Sequence, residues 1–227
     1  MTILCIETST QTCSVAICRD GHVVEGRIEQ ANANHARLAP LFVDQLLKAH
    51  PYIDAVALSS GPGSYTGLRI GTSLAKGLAY GKQIPLLAIN TLSVLCASAS
   101  AHAQINKGML CPMIDARRME IYTTITTQEE NITIKEEDIH AQVVEDDSWL
   151  PKDDEIYYFG DGAAKCQALL SNPRFHYIPD IVPDARYMGH LAEQAYQRNP
   201  KGEDVAYFEP FYLKQFVAAP SHIKGLK

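Results

Sequence analysis

Long basic stretches and long apolar stretches are both missing from this 227-residue sequence. Its formal net charge is −6, from 20 Lys and Arg against 26 Asp and Glu. Affinity for a nucleic acid rests on clustered cations that release counterions, so the composition argues against a protein that holds RNA or DNA alone. No apolar run approaches the ~20 residues that span a bilayer, and no basic n-region of a signal peptide is visible. We therefore expect a cytoplasmic protein with no membrane contact.

Paired cysteine motifs are also missing. The six cysteines form no Cys-x-x-Cys pair, which argues against a zinc knuckle and against a thioredoxin-like redox motif. Most of them lie in apolar, strand-like segments, so we expect buried free thiols in a reducing compartment. The composition is otherwise ordinary, with 46% hydrophobic and 20% charged residues. The length suffices for one large domain or two small lobes around a sizeable core.

The usual motifs for phosphate binding and nucleophilic catalysis are incomplete. A dinucleotide fingerprint in the Gly-rich stretch 61–67 would need glycine at position 66, where Thr66 stands. A Walker loop would need a Gly-Lys pair that this stretch lacks. A nucleophile elbow around Ser64 would likewise need glycine at position 66. These gaps disfavour a phosphate cradle at this turn, and nothing in the residues indicates peptide cleavage.

The chain is organised around the segment 59–71, SSGPGSYTGLRIG, which links an apolar run to a helical pattern from about Tyr65 to Tyr80. Ser64 is well placed as the helix N-cap. Small residues then recur every fourth position and form one column of nearly bare backbone: Gly67, Gly71, Ala75 and Ala79. Such a column either packs within the chain or receives a helix of a partner chain. We favour the partner, because Ile70, Leu74 and Leu78 already form an apolar column for the helix's own sheet.

The order of elements predicts the fold. Three strand patterns open the chain, and Asp20-Gly21 marks a tight hairpin between the second and third. Helix, strand, helix, strand and helix follow, and this order is that of a ribonuclease H-like lobe. The segment 104–108 is the best lobe boundary. We therefore predict lobes at 1–105 and 106–227, the second smaller and more irregular, with helical patterns at Asp161–Leu170 and Asp184–Arg198.

Several segments closely resemble the bacterial TsaB (YeaZ) family. The longest match is Ser59 to Gly71, followed by Ala75 to Ala79. The resemblance spans most of the chain in the expected order and ends near Lys214. Further matches lie at Ile3–Thr10, Asn90–Leu92, Asp115–Tyr122 and Gly160–Ala163.

The resemblance implies an α/β fold of two ribonuclease H-like lobes, of the actin, Hsp70 and sugar-kinase type. It also implies a non-catalytic subunit that pairs with the catalytic subunit TsaD and works with the ATPase TsaE. Together these proteins transfer threonylcarbamoyl to the tRNA adenosine beside the anticodon. ATP and metal are expected on the partner subunits and not in the isolated chain, and tRNA is contacted only through the complex. A homodimer is expected when the partner is absent.

On this resemblance the first two helices form the partner interface. Because small residues let helix axes approach below the usual 8–10 Å, we expect Gly71→Leu to abolish pairing and to leave the fold intact. The implied interface residues are Leu38, Leu41, Phe42, Gln45, Ser64, Gly67, Leu68, Gly71, Thr72, Ala75 and Ala79.

Proteins of the actin-like type bind ATP between their lobes, through a loop after the first strand and a Gly-rich loop of the second lobe. Here Glu7 takes the place of the usual aspartate, and the extra methylene displaces its carboxylate. The alternative that we favour is a hydroxyl-rich strand end that caps the next turn. The residues of this degenerate nucleotide site are Glu7, Thr8, Ser9, Thr10, Gly160 and Gly162.

The metal site of TsaD is a His-x-x-x-His pair on one helix face. The corresponding positions here are His35 and Ala39, so we predict that no metal binds in that way. The tip 115–118, with two arginines, reads either as an anion-binding loop or as a simple hairpin turn. The alternative to a subunit role is an enzyme in its own right, either an ATP- or metal-dependent transferase or a glycoprotease-like peptidase.

Overall fold

The computed structural model describes residues 1–32, 34–103, 105, 108–127 and 133–214. Its β-strands are β1 (Thr2–Glu7), β2 (Thr12–Arg19), β3 (His22–Gln30), β4 (Ala55–Gly61), β5 (Leu86–Asn90), β6 (Met109–Asp115), β7 (Glu120–Thr123), β8 (Thr126–Thr127), β9 (His140–Val143), β10 (Ile156–Phe159) and β11 (Phe175–Ile178). Its α-helices are α1 (His35–Ala49), α2 (Tyr65–Lys82), α3 (Thr91–His102) and α4 (Gly189–Arg198). Short 3₁₀ turns lie at Glu136–Asp138, Ala164–Cys166 and Ala185–Tyr187.

The first sheet has the order β3-β2-β1-β4-β5. Strands β1, β2 and β3 form an antiparallel meander, and β4 and β5 run parallel to β1. The hairpin between β2 and β3 turns at Asp20 and Gly21, whose φ angles are 50° and 78°. Positive φ at both central residues is what the favoured two-residue hairpin turn requires. The predicted hairpin and the ribonuclease H-like order of this lobe are confirmed.

Both faces of the first sheet are covered by helices. Side chains alternate along a strand, so Leu4 and Ile6 of β1 face one layer while Ile3 and Cys5 face the other. The first layer is made by α1 and α2, and the second by α4 with part of α3. Burial on both faces explains why the strands read as continuous apolar runs.

Helices α2 and α3 begin where polar side chains cap them. The Ser64 hydroxyl accepts a hydrogen bond of 3.3 Å from the Gly67 N–H at the start of α2. The Asn90 side chain accepts from the N–H groups of Leu92 and Ser93 at the start of α3. Each bond satisfies one of the N–H groups that lack an intrahelical partner. The start of α2 is therefore fixed at the end of β4, beside the end of β1.

The second sheet repeats the first in shorter form. Its order is β11-β10-β6-β7-β9, with β8 also paired to β6. Strands β6, β7 and β9 are antiparallel, whereas β10 and β11 are parallel to β6. The strand order and directions therefore match those of β1 to β5. The predicted class, an α/β fold with two ribonuclease H-like lobes and a smaller second one, is confirmed.

The helices expected in the second half are shorter than the sequence suggested. Residues 161–170 were expected to be helical, but they hold only the 3₁₀ turn Ala164–Cys166. The expected helix at 184–198 begins with a 3₁₀ turn, and α4 starts at Gly189. Cys166 and Leu170 are buried with the strands of the second sheet, so a few apolar anchors fix this segment without a regular helix.

Helix α3 lies between the two sheets. Val94 packs in the layer against the first sheet, while Leu92 and Leu95 pack with Leu110 and Phe159 of the second. A helix that is apolar on all sides is buried, and α3 fits that rule. The position of the lobe boundary at 105/106 stays a prediction.

The chain returns to the first sheet after the second lobe. Helix α4 packs on its second layer. The segment 203–214, here called the C-terminal strap, then crosses the first lobe: the Glu203 N–H donates to the Leu86 carbonyl and the Phe211 N–H to the Ser60 carbonyl. No helix in the described part of the chain is long and apolar enough to cross a membrane.

Candidate site in the cleft between the lobes

A cleft of about 610 Å³ separates the two lobes. One wall comes from the turn after β1 and from the first turns of α1 and α2. The other comes from the β6–β7 hairpin and the C-terminal strap. The cleft is lined by polar, charged and aromatic side chains that could contact a ligand: Ser9, Thr10, His35, Tyr65, Asp115, Arg117, Asp161, Tyr212 and Lys214.

The Glu7 carboxylate is fully buried and already bonded within the chain. It accepts a hydrogen bond from the Ser59 hydroxyl and one of 2.6 Å from the Ser9 N–H. Burial raises the pKa of this carboxyl, although the hydrogen bonds from Ser59 and Ser9 act in the opposite direction. Glu7 therefore closes the turn after β1 and is not among the residues that line the cleft.

Thr8 is likewise used by the fold. Its hydroxyl donates a 2.8 Å hydrogen bond to the carbonyl of Gly67 in α2. Of the predicted first nucleotide loop, only Ser9 and Thr10 line the cleft. These contacts support the alternative of a strand end that caps the next turn.

The predicted second nucleotide loop is held against its own sheet. Gly160 has a φ of +107°, and a Cβ there would collide with the Met113 carbonyl. A Cβ at Gly162 would lie 2.9 Å from the carbonyl carbon of Ile114. These glycines are required by close backbone approach, and neither is among the residues that line the cleft, although Asp161 between them is.

The column of small residues in α2 faces inward, so the expectation that it is left over for another chain is wrong. A Cβ at Gly67 would collide with the Thr8 carbonyl, and one at Gly71 with the Thr8 hydroxyl. Ala75 and Ala79 lie in the core beneath α1 and α2. The backbone that approaches this column is the end of β1 in the same chain.

Four larger residues assigned to the interface also face this chain's own core: Leu38, Phe42, Leu68 and Thr72. The other three, Leu41, Gln45 and Ser64, are exposed, and their role in an interface stays a prediction. Sequence periodicity located the helices correctly, but the column that it assigned to a partner packs against Thr8 of the same chain.

Helices α1 and α2 also have a side that faces away from the sheet, which we call the outward face. Its exposed residues are Leu41 and Gln45 of α1 and Ser73, Gly77 and Gly81 of α2. Leu41 is 40% exposed. A Cβ added at Gly77 or Gly81 would meet no atom of the described residues within 4 Å. A second set of glycines, which the sequence reasoning passed over, is therefore open to an approaching chain.

His35 lies at the first position of α1 and lines the cleft. Ala39, one turn later, is fully buried and offers no ligand. Among the described residues, no three His, Cys, Asp or Glu side chains group as a metal site. His35 and Ala39 therefore do not fit the two-histidine metal site of TsaD.

The β6–β7 hairpin supplies the charged wall of the cleft. Its turn contains Arg117 and Arg118, with φ angles of 72° and 50°. Asp115 accepts from the Arg117 N–H at 3.0 Å and forms an ion pair with Lys165. The tip is a hairpin turn, Arg117 is the arginine of the pair that lines the cleft, and the anion-binding alternative stays a prediction.

The C-terminal strap closes one end of the cleft. The Tyr212 ring lies 5.0 Å from that of Tyr65, centroid to centroid, and Lys214 pairs with Glu120 of the second lobe. Sequence reasoning missed the tyrosines, because a residue near position 212 gives no local signal that it returns to the start of α2.

The fold and the cleft define a two-lobed α/β protein of the actin, Hsp70 and sugar-kinase type. A family model described as TsaD: tRNA N6-adenosine threonylcarbamoyltransferase matches residues 27–218. The tRNA threonylcarbamoyladenosine biosynthesis protein TsaB of Bacillus subtilis is 30% identical over 98% of this chain and 91% of its own length. Its Escherichia coli namesake is 29% identical over 96% of each chain.

A solved structure gives the same result. YeaZ from Pseudomonas aeruginosa matches with a TM-score of 0.80 and 26% identity, over 93% of this chain and 99% of the other. A second structure, described as an uncharacterized protein with similarity to peptidase YEAZ from the same organism, matches equally well over 94% and 99%. The chain belongs to the TsaB (YeaZ) family.

Proposed function

We propose that this chain is a non-catalytic subunit of the machinery that makes threonylcarbamoyladenosine in tRNA. Its TsaB relatives are named for that biosynthesis. In the proposal it pairs with the catalytic subunit TsaD and acts with the ATPase TsaE, which carry the ATP and the metal. It forms a homodimer when TsaD is absent.

The proposed subunit role rests mainly on the contacts that Glu7 makes within the chain. At the end of the first strand, the carboxylate that a nucleotide-dependent relative would turn toward its ligand is fully buried and accepts from Ser9 and Ser59. A buried carboxylate that accepts from two donors stabilises a turn and is not available to a metal ion. The two-histidine metal site is also incomplete, because Ala39 stands one turn after His35 where a second imidazole would be needed.

The outward face supports the pairing. Helices α1 and α2 lie side by side on the first sheet, so their exposed residues form one surface. Gly77 and Gly81 leave open space above α2, and Leu41 adds exposed apolar area on α1. Bare backbone lets a second helix approach closely, and packing of the same two helices from another copy would form an isologous dimer.

The test is reconstitution of tRNA modification from purified TsaD, TsaE and this chain. Leu41→Asp places a charge on the outward face and is expected to lower the rate at limiting subunit concentration. Val143→Asp is the matched control, since Val143 is also an exposed aliphatic residue but lies on β9 of the second lobe.

Glu7→Gln separates a subunit from an enzyme in the same assay. Glutamine preserves the shape: its Oε1 can accept from the Ser9 N–H and its amide N–H can donate to the Ser59 hydroxyl. The rate should therefore stay within about twofold of the wild type. A loss of activity of a hundredfold or more in the folded Glu7→Gln chain would assign the chemistry to this subunit and overturn the proposal.

A further inference from the structure

We infer that two copies of this chain pair through strand β3, antiparallel and with the two Ile28 residues directly opposite each other. The pairing joins the first sheets of the two copies into one continuous sheet. It uses residues that do not belong to the outward face, and it stands whether or not the proposed function is correct.

Strand β3 is a long edge strand with one side open. It has nine residues, and its only strand neighbour in the described part of the chain is β2. At the other edge of the same sheet, the C-terminal strap bonds to β5 through the Glu203 N–H and the Leu86 carbonyl. The edge strands of the second sheet, β9 and β11, have four residues each. A long edge strand offers a row of main-chain groups to another strand.

The direction of the main-chain groups in β3 follows from its hydrogen bonds. The Ala31 N–H donates to the Gln11 carbonyl at 2.8 Å, just beyond the last pair of β2 and β3. Residues bonded to one neighbour alternate along an antiparallel strand, so the even-numbered residues direct their groups away from β2. In line with this, the Gly26 carbonyl accepts a hydrogen bond of 3.0 Å from the Arg27 guanidinium. The outward row consists of Gly26, Ile28 and Gln30.

Two neighbouring registers of a symmetric pair are unfavourable. A two-fold axis at Gly26 would extend the pairing to Val24, which is the extra residue where the register of β3 against β2 shifts. Such a bulge disrupts the ladder at an edge. An axis at Arg27 would place two arginines directly opposite each other, and like charges in that position are destabilising.

The register centred on Ile28 is favourable for both charge and apolar contact. It places Arg27 opposite Glu29 of the second copy, and the two-fold axis makes the same pair twice. Glu29 is exposed, and the Glu25 that Arg27 contacts within its own strand is itself partly exposed, so the exchange of partners costs little. Ile28, which is 38% exposed, is covered by its equivalent.

The experiment introduces Ile28→Cys into the full-length chain, in a Leu41→Asp background that disfavours pairing through the outward face. Directly opposite residues of a hydrogen-bonded antiparallel pair have Cα atoms about 5.5 Å apart, which is within disulfide range. All six native cysteines are buried, so mild oxidation with oxidised glutathione reports on the introduced thiol. We expect most of the chain to become a disulfide-linked dimer, with the linked peptides identified by mass spectrometry.

Val143→Cys is the matched control, because Val143 is also an exposed aliphatic residue of an edge strand, β9 of the second sheet. It should cross-link only at the slow rate of random collisions. Equal cross-linking of the two variants, or no cross-link at position 28, overturns the inference.

A charge exchange tests the register without a new thiol. Arg27→Glu and Glu29→Arg each place like charges opposite each other in a self-pair. In the Leu41→Asp background, each variant alone should therefore associate about tenfold more weakly in sedimentation. An equimolar mixture of the two restores opposite charges at both positions and should associate as tightly as the unexchanged chain. A mixture no tighter than either variant alone contradicts the pairing.

Discussion

The inner and outer faces of α2 carry the same residue type for different reasons. Gly67 and Gly71 face inward, where the end of β1 leaves no room for a Cβ. Gly77 and Gly81 face outward, where a Cβ would meet no atom within 4 Å in the part of the chain that the structure describes. The inner pair is required by the fold of this chain. The outer pair costs helix stability, about 1 kcal/mol for each residue relative to alanine, and no contact with the described residues explains that cost.

The largest expected effect is on the inner face. Gly71→Leu forces a side chain into the Thr8 hydroxyl, so we expect a loss of about 3 kcal/mol or more in the free energy of unfolding. Denaturant titration followed by circular dichroism measures it. The earlier expectation, that this variant folds normally and only loses its partner, is wrong because Gly71 is buried. Gly77→Leu is the matched control and should unfold close to the wild type.

Glu7, at the end of β1, should make the stability of the chain depend on pH. Because burial raises the pKa of Glu7, its contribution to stability is complete at low pH and is lost as the pH rises through the raised value. From about pH 4.3 upward, wild-type stability should therefore fall relative to Glu7→Gln, by at most about 1.4 kcal/mol per pH unit. Urea titrations between pH 4 and 9 test this, with Glu29→Gln, an exposed glutamate of β3, as control. Identical pH profiles for wild type and Glu7→Gln would contradict it.

The cap of α2 supports both faces. Ser64→Ala removes the acceptor of the Gly67 N–H, and we expect a loss of about 1 kcal/mol in unfolding free energy. Ser73→Ala, in the exposed middle of the same helix, lacks a capping role and should be neutral or slightly stabilising. Thermal unfolding of the two variants side by side separates the cap from general serine effects.

The smallest expected effect comes from adding a single methyl group to each face of α2. Gly77→Ala should stabilise the chain by about 0.5–1 kcal/mol, since alanine is the better helix former and has room. Gly71→Ala should destabilise it, because the same methyl collides with Thr8. If the two substitutions changed stability in the same direction, the assignment of inner and outer faces would be wrong.

Much of the fold could be predicted from the sequence. The start of α3 after Asn90 follows from its capping side chain, and the β2–β3 hairpin follows from Asp20-Gly21. The second lobe was harder, since segment 161–170 contains helix-forming residues but is fixed by only a few buried anchors. Local propensity then competes with packing that a single sequence does not display.

The candidate site was only partly predictable for a different reason. A column of small residues indicates that some backbone comes close, but the sequence does not say whose backbone it is. The inner column at Gly67 and Gly71 was therefore assigned to a partner, although Thr8 of the same chain occupies that space. Cleft residues such as Tyr212 come from the end of the chain and meet α2 only after the whole fold has formed.

The measurement that tests the account most directly is calorimetric titration of TsaD into wild-type chain and into Gly77→Leu. The account predicts at least about a hundredfold weaker binding for Gly77→Leu, as expected when a bulky side chain blocks a close helix contact. Its melting temperature should stay near that of the wild type, and Gln197→Leu on exposed α4 should bind normally. Wild-type affinity in a folded Gly77→Leu chain would contradict the assignment of the outward face as the partner surface.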